Sequence, residues 1–245
     1  MSIQNVVGLV VRLAQEKDLL EVFALEQRAW LNTGVPQYTF AHFYTWLEIN
    51  PECFLVAESN GRIVGYSYQQ RINFSFADIC KFTSHEQSTD GGYTKKTHVG
   101  DGNSFYGVSV VSIRAGAGIM LDRAMYDLGR KLGLQYYIGF PRLAGFDGYM
   151  RGLGGGKLTL VDEKLEADIA LWYAIKCVEA INGKIWDVCP RPCVLSLSPP
   201  RRLDRVLNWH LKNKEFGLVG VVSDYMPDRQ SRNYAAFNVY QFPLL

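Results

Sequence analysis

Residues 105–140 read FYGVSVVSIRAGAGIMLDRAMYDLGRKLGLQYYIGF, and this stretch decides the fold. Its first part, 105–113, is rich in β-branched and aromatic residues, which favour a β-strand. A turn with two glycines follows, and Gly133 is the kind of residue that ends a helix. Between them, apolar residues recur at helical spacing, at Leu121, Ala124, Met125, Leu128 and Leu132. Because residues 134–140 form a second strand candidate, the stretch predicts a strand–helix–strand unit with two parallel strands.

The segments before this unit predict a strand, two helices and a hairpin. A strand at 7–13 opens the chain, and the spacing of apolar residues predicts amphipathic helices at 18–30 and 38–49. Residues 54–58 and 63–70 are strand-like and are joined by Ser-Asn-Gly-Arg. Asn-Gly supplies the positive φ angles of a tight turn, so we expect a β-hairpin here.

A polar stretch separates the hairpin from the strand–helix–strand unit. Residues 73–103 are rich in Gly, Ser and Thr and offer little apolar surface for packing. We therefore expect a flap or lid that is mobile without ligand. His85 and His98 lie within this stretch, and we expect both to be exposed.

The segments after the unit predict a helix and a second hairpin. Residues 162–181 have helical spacing and begin with Asp-Glu, which suits the first turn of a helix. Residues 216–222 and 234–242 are strand candidates joined by a polar connection. They predict a wide terminal hairpin.

Length and composition favour one globular domain. The 245 residues are 48% hydrophobic and 20% charged, which is typical of a packed protein. We expect a single α/β domain over residues 1–245, enlarged by insertions near 73–103 and 142–211.

The charge balance argues against nucleic acid as a partner. There are 26 Lys and Arg residues against 24 Asp and Glu residues, for a formal net charge of +2. Nucleic-acid binders carry a stripe of cations, and no such block occurs here. No apolar run approaches the roughly 18 residues that span a bilayer, and the first residues do not read as a leader. We therefore expect a cytoplasmic protein without a membrane span.

The five cysteines predict neither a disulfide scaffold nor a metal site. Their number is odd and their spacing is irregular. Cys189 and Cys193 have C-x3-C spacing but lack a second ligand pair, so we expect no metal.

The glycine-rich stretches fail two nucleotide-binding patterns. A dinucleotide fingerprint starting at Gly116 would need a third glycine where Leu121 stands, and an acidic residue about 20 positions later, which is missing. A phosphate-binding Walker loop at 152–157 would need Gly in place of Arg151 and Ser or Thr in place of Leu158. A third interpretation of the first stretch needs only backbone N–H groups at a helix start, which bind a pyrophosphate with the help of the helix dipole.

With this order of elements, the chain resembles the GCN5-related N-acetyltransferases. Their acyl-CoA loop, V-x-P-x-x-(Q/R)-G-x-G-x-(G/A), falls on residues 110–120, with Gly116 and Gly118 matching. The departures are Ser112 for Pro, Ala115 for Gln or Arg, and Met120 for Gly or Ala. Residues 142–146 and 216–225 are similar to motifs of the branch of this family that is often fused to nitrilase-like domains. The resemblance implies a mixed sheet in which the fourth and fifth strands splay apart.

The resemblance also implies an N-acyltransferase. Its donor would be an acyl thioester, either acetyl-CoA or a longer acyl-CoA, and its acceptor a primary amine of a small molecule, amino acid or peptide. Ala115 and Met120 stand where the family holds the pyrophosphate, so recognition of the nucleotide end is expected to be weaker. A long-chain acyl-CoA and an acyl carrier protein are therefore both possible donors. A catalytically silent acyl-CoA-binding module is the alternative. The implied donor-binding residues, through their main chain, are Val110, Val111, Ser112, Gly116, Ala117, Gly118, Ile119 and Met120.

Acid–base catalysis has four candidates. Many members of the family use a Tyr of the last helix as the general acid, and Leu211 occupies that position here. We therefore expect His210 or Tyr225 to replace it. Glu26 and Tyr106 lie where the family builds its acceptor site and are the candidates for the base.

Overall fold

The structure is a computed structural model that describes residues 8–31, 33–153, 162–193, 197–212 and 216–243. Its helices are α1 (Leu19–Trp30), α2 (Phe40–Ile49), α3 (His85–Thr89), α4 (Ala117–Lys131), α5 (Phe146–Leu153), α6 (Glu163–Glu179) and α7 (Arg205–Lys212). Its strands are β1 (Leu9–Leu13), β2 (Phe54–Ser59), β3 (Arg62–Ile72), β4 (Ser104–Ser112), β5 (Tyr136–Gly139), β6 (Lys184–Ile185), β7 (Gly217–Val222) and β8 (Ala235–Gln241).

These strands form one mixed sheet with the order β1-β2-β3-β4-β5-β8-β7-β6. The pairs β4–β5 and β6–β7 are parallel, and the other neighbours are antiparallel. The strand–helix–strand unit predicted from residues 105–140 is present as β4, α4 and β5. The prediction of a mixed α/β fold is therefore confirmed.

The turn between β2 and β3 is the tight hairpin that Asn-Gly predicts. Asn60 and Gly61 have φ angles of 52° and 75°, both in the left-handed region. The two strands pair from Ser59 and Arg62 onward, and a β-bulge at Val64 then shifts their register by one residue.

The fourth and fifth strands separate after a short common ladder. Residues 104–106 of β4 pair with residues 136–138 of β5, and the pairing then stops. β4 nevertheless continues to Ser112, so the rest of the strand borders a gap on the side of β5. This confirms the predicted splay.

Two hydrophobic cores cover the two faces of the sheet. One contains buried residues of α4, α6 and α7, and the other contains buried residues of α1 and α2. Phe105 belongs to the first core and its neighbour Tyr106 to the second, and neighbouring strand residues point to opposite faces. The helices therefore form a layer on each side of the sheet.

The polar stretch 73–103 is packed onto the α1–α2 face, contrary to the expectation of a mobile flap. The indole Nε1 of Trp46 donates to the carbonyl of Gly92 at 2.7 Å. The hydroxyls of Tyr68 and Thr94 lie 2.9 Å apart, and Thr94 is fully buried. Phe74 is buried in the core of this face, and Phe76, Ile79 and Phe82 pack against the same core. Apolar and polar contacts to distant residues thus hold the stretch together, which its overall composition does not reveal.

Gly92 fixes this stretch against the residues that precede α2. Its φ is +92°, and a Cβ at this position would lie 2.5 Å from Cε1 of Tyr38. Only glycine satisfies both conditions. The polar stretch therefore holds the ring of Tyr38 in place.

We expect residues 73–103 to resist limited proteolysis, because cleavage there requires the hydrogen bonds to the α1–α2 face to open. Trypsin should cut at the exposed Lys95 and Lys96 more slowly than at the exposed Arg201 and Arg202. Mass spectrometry of the early fragments measures both rates in one sample. If trypsin cuts at Lys95 faster than at Arg201 without denaturant, residues 73–103 form a mobile flap after all.

Candidate active site

A cavity of about 710 Å³ occupies the gap between β4 and β5. Gly107 and Val110 of β4 and Gly139 of β5 lie along its edges. Its lining also includes Val108, Phe140 and Tyr225 from the α1–α2 core, and Tyr137 and Phe216 from the other core. Because residues of both cores line it, the cavity passes through the sheet.

β4 has a β-bulge at the edge of this cavity. Tyr68 of β3 pairs with Ser109 and Gln69 pairs with Gly107, so Val108 is the extra residue in the register. A bulge bends a strand and redirects its backbone groups. Here it lies just beyond the last pair with β5, where the edge of β4 is open to the cavity.

Glu26 of α1 is fully buried and lines the cavity. Tyr66 donates its hydroxyl to Oε2 at 2.5 Å, and the backbone N–H of Tyr38 donates to Oε1 at 3.1 Å. Burial raises the pKa of Glu26, and the hydrogen bonds oppose this shift only in part. A carboxyl group with a raised pKa is suited to accept a proton near neutral pH.

Tyr38 and His85 form a hydrogen-bonded pair beside the bulge. Oη of Tyr38 lies 2.8 Å from Nε2 of His85 and donates to the carbonyl of Val108 at 3.3 Å. The prediction that His85 is exposed is wrong, since it is half-buried and burial lowers its pKa to about 4. With this pKa, His85 is uncharged at neutral pH. His98 is also half-buried, contrary to its expected exposure, and its Nδ1 accepts the backbone N–H of Arg71 at 3.2 Å.

Tyr225 reaches the cavity, whereas Tyr106 lies behind it. The two hydroxyls hydrogen-bond to each other, and Tyr225 lines the cavity. Tyr106 is fully buried and lies behind Tyr225 and Phe140, which line the cavity, so its side chain is not part of the lining that was expected for the acceptor site. Burial raises the pKa of both phenols, so both are protonated at neutral pH.

His210 of α7 enters the cavity from the opposite face of the sheet. Its ring packs against Phe216, which belongs to the α4, α6 and α7 core, with centroids 6.2 Å apart. Burial lowers the pKa of His210 to about 4, so the ring is uncharged at neutral pH. The next residue, Leu211, is buried in the same core. Glu26 and Tyr225 thus share the α1–α2 side of the cavity, and His210 lies on the other side.

The glycine loop lies at the end of β4, where α4 begins. Gly116 precedes the helix with a φ of 87°, which favours glycine. A Cβ on Gly118 would lie 3.0 Å from Oγ of Ser112 and 3.1 Å from Cζ2 of Trp209, so α7 packs against the loop. Met120 packs against the α4, α6 and α7 core. Its size therefore does not crowd the start of the helix.

The other predicted donor residues have different surroundings. Val110 lines the cavity, whereas Val111 is buried in the α1–α2 core. Ala117 is fully buried, and Ile119 is exposed at the surface of α4. The side chains of Val111 and Ala117 thus serve packing, which leaves their main chain for contact with a donor.

Sequence reasoning does not identify three residues of the cavity, Tyr38, His85 and Arg142. Tyr38 precedes α2 in a stretch without a recognisable motif, and His85 lies in the polar stretch whose packing was not expected. Arg142 is the first residue of a motif noted for its resemblance alone. The common signal is a polar or aromatic residue next to a predicted strand or helix end, which is too frequent to be diagnostic.

In the described ranges, no helix has both the length and the apolar character needed to cross a membrane. In the same ranges, no three His, Cys, Asp or Glu side chains lie close enough together to hold a metal ion.

Comparison with known proteins gives one similar sequence and several similar structures. No model of a known protein family matches the chain. The probable hydrolase YhcX of Bacillus subtilis is 30% identical over 145 residues, which are 58% of this chain and 27% of that protein. The chain thus spans only a minor part of the length of this relative.

Two solved structures are similar over nearly their whole length. The GphF GNAT-like decarboxylase in complex with isobutyryl-CoA has a TM-score of 0.64 at 20% identity, with 95% of this chain and 98% of that chain covered. The loading GNATL domain of CurA from Lyngbya majuscula has a TM-score of 0.68 at 15% identity, with 95% and 97% covered. At these identities the similarity shows the fold, and the resemblance to the nitrilase-fused branch stays a prediction.

Proposed function

The chain has the GNAT-like fold, and we propose that it transfers an acyl group from an acyl thioester to a primary amine. The observation that carries this proposal is the cavity that passes through the sheet between β4 and β5. Its α7 side lies next to the glycine loop, and its α1–α2 side contains Glu26. A thioester and an amine can thus meet at the bulge from opposite faces.

The proposed donor is an acyl-CoA. Its pyrophosphate would bind the N–H groups at the start of α4, where the helix dipole favours an anion. Its pantetheine arm would follow the open edge of β4 toward Val108, making main-chain hydrogen bonds. The isobutyryl-CoA complex of the similar GphF structure supports this class of donor. Met120 packs against the core and does not crowd the start of α4, where the nucleotide end of CoA would bind. This packing favours CoA over a carrier protein as the donor.

The proposed chemistry has three steps that need protein groups. Glu26, ionised above its raised pKa, accepts a proton from the amine, which then attacks the thioester carbonyl. Backbone N–H groups of β4 near the bulge stabilise the negative charge on the carbonyl oxygen. The C–S bond then breaks, and Tyr225 supplies a proton to the thiolate, since its raised pKa keeps it protonated until that charge forms. His210, uncharged at neutral pH, is left to orient the thiol side.

Release of free thiol tests the proposal. Acetyl-, isobutyryl- and decanoyl-CoA would each be incubated with amino acids, simple amines and a peptide, with mass spectrometry of the products. We expect thiol release that depends on the amine and is matched by amide formation. Thiol release without an amide would indicate hydrolysis, and binding of acyl-CoA without release would indicate a silent module.

Decarboxylation of a carboxyacyl thioester is the second candidate. The similarity to the GphF decarboxylase covers 98% of that chain, and the last helix has Leu211 in place of the acid that many N-acetyltransferases use. In this reaction the C–C bond to the carboxylate breaks, CO2 leaves, and the α-carbon takes up a proton. Malonyl-CoA in the same assay, with detection of CO2 and acetyl-CoA, distinguishes it from amide formation.

A further inference from the structure

An arginine lines the α1–α2 side of the cavity and has no role in the chemistry described above. Arg142 follows β5, and its side chain is only 11% exposed. Its guanidinium carbon lies 5.7 Å from the centre of the Trp30 ring, which lines the same cavity. Burial of a charged group costs free energy unless partners compensate for the lost water. The partners of Arg142 therefore indicate what the side chain can bind.

Two neighbours hold this guanidinium in a fixed position. Nη2 donates to Oε1 of Gln230, and Nη1 lies 3.2 Å from Oδ1 of Asp228, whose side chain is fully buried. Asp228 is itself fixed, since its Oδ1 accepts the backbone N–H of Gln230 at 3.1 Å. Arg142 is therefore positioned before any substrate binds.

The guanidinium still has hydrogen-bonding capacity. Nη1 is buried and finds no acceptor of suitable geometry among the residues that the structure describes, despite its closeness to Asp228. A buried donor without an acceptor costs free energy. The same side chain lines the cavity, and a carboxylate is the substrate group whose charge and planar shape match a guanidinium best.

The surrounding charges are compatible with a carboxylate. Asp228 offsets part of the charge of Arg142, so binding of moderate strength is expected. Glu86 and Asp224 also line this side of the cavity, but both are exposed, and water and salt screen them. Glu26 is the buried acid of this side, and its carboxyl group already accepts hydrogen bonds from Tyr66 and from the backbone of Tyr38.

Trp30 connects the two groups that the substrate would contact. It lies one helical turn after Glu26 on α1, its ring lies 5.7 Å from the guanidinium carbon of Arg142, and all three residues line the cavity. An amine at Glu26 and a carboxylate at Arg142 would then belong to one short molecule. Amino acids with one or two carbons between the amine and the carboxylate are therefore the acceptors to compare.

We propose that Arg142 binds the carboxylate of a short amino-acid acceptor whose amine is acylated at Glu26. This inference rests on the proposed function and narrows its acceptor class. The same carboxylate could come from a carboxyacyl donor, which the test below distinguishes.

The test compares glycine and β-alanine with glycinamide, which has the amine but not the carboxylate. In the wild-type protein, we expect kcat/KM for glycine to exceed that for glycinamide by tenfold or more. In Arg142→Gln, KM for glycine should rise by 10- to 100-fold, while glycinamide should be acylated as before. Arg142→Lys should restore part of the preference, because the charge is kept without the donor fork.

Arg232→Gln is the matched control. Arg232 lies on the loop between β7 and β8 that also carries Asp228 and Gln230, and it pairs with Asp147 and Glu166 but is not among the residues that line the cavity. Arg232→Gln should leave the ratio of kcat/KM for glycine to kcat/KM for glycinamide unchanged. If Arg142→Gln loses the acylation of both glycine and glycinamide, the role of Arg142 is structural and the inference is overturned. So would equal use of glycine and glycinamide by the wild type, a comparison that needs no variant to fold.

Failure of the proposed function gives a different result. If no amine is acylated but malonyl-CoA loses CO2, the carboxylate belongs to the donor, and Arg142→Gln should then raise KM for malonyl-CoA and not the KM of a neutral acyl-CoA. That outcome would overturn the proposal that Arg142 binds the carboxylate of an amino-acid acceptor. If amines without a carboxylate are acylated as fast as glycine, the proposed function stands and the inference fails.

Discussion

Glu26→Gln is expected to lower kcat for amide formation by about 10²- to 10⁴-fold, the range that a positioned general base contributes. Gln can still accept the N–H of Tyr38 but cannot take a proton from the amine. The variant should fold, because the raised pKa of Glu26 means that its ionised form destabilises the native state. Removal of this group thus costs activity more than stability.

The pH dependence provides the more specific measurement. Wild-type kcat should fall as the pH drops through the raised pKa of Glu26, so the acidic limb should lie at a higher pH than for an ordinary glutamate. Glu26→Gln should lack this limb. Glu21→Gln is the control on the same helix, since Glu21 is exposed and accepts the backbone N–H of Ile63 at 2.9 Å. Persistence of the limb in Glu26→Gln would assign the base to another group.

Trp46→Ala is expected to reduce the free energy of unfolding by about 3–5 kcal/mol, the usual cost of truncating a buried tryptophan. Trp46 is fully buried and stacks on Tyr68 with ring centroids 4.3 Å apart. The substitution also removes the hydrogen bond to Gly92, and with it one tie between α2 and the polar stretch. Urea unfolding followed by circular dichroism measures the change.

Two further variants separate packing from hydrogen bonding. Trp46→Phe keeps an aromatic ring but leaves the carbonyl of Gly92 without its donor, so we expect a loss of about 1–3 kcal/mol. Tyr44→Ala, on the same helix, removes a side chain that is 46% exposed and should change stability by about 0.5 kcal/mol or less. Equal effects of all three substitutions would contradict a central packing role for Trp46.

The sequence predicts those parts of the fold that depend on local patterns. Asn60 and Gly61 specify a turn by their own backbone preferences, and this turn joins β2 to β3 as an antiparallel hairpin. The helical spacing after Gly116 similarly places α4 between two parallel strands. In each case neighbouring residues carry the information, so inspection of a short stretch is sufficient.

The parts that could not be predicted depend on contacts between distant residues. The polar stretch is held by bonds such as that from Trp46 to Gly92, and no local pattern reports such a pair. The burial of His85 follows from this packing, as does its pairing with Tyr38. The site was predicted in part for the same reason: Glu26 and Tyr225 lie in the cavity, but the residues that orient them come from elsewhere in the chain.

The passage of the cavity through the sheet has a kinetic consequence. Two substrates that approach from opposite faces do not compete for one entrance, so both can be bound before any bond changes. Initial rates measured at several fixed concentrations of the second substrate would then give intersecting double-reciprocal lines, as in a sequential mechanism. The released thiol would compete with the donor while the amide product would compete with the acceptor, because each leaves by the face through which its parent entered.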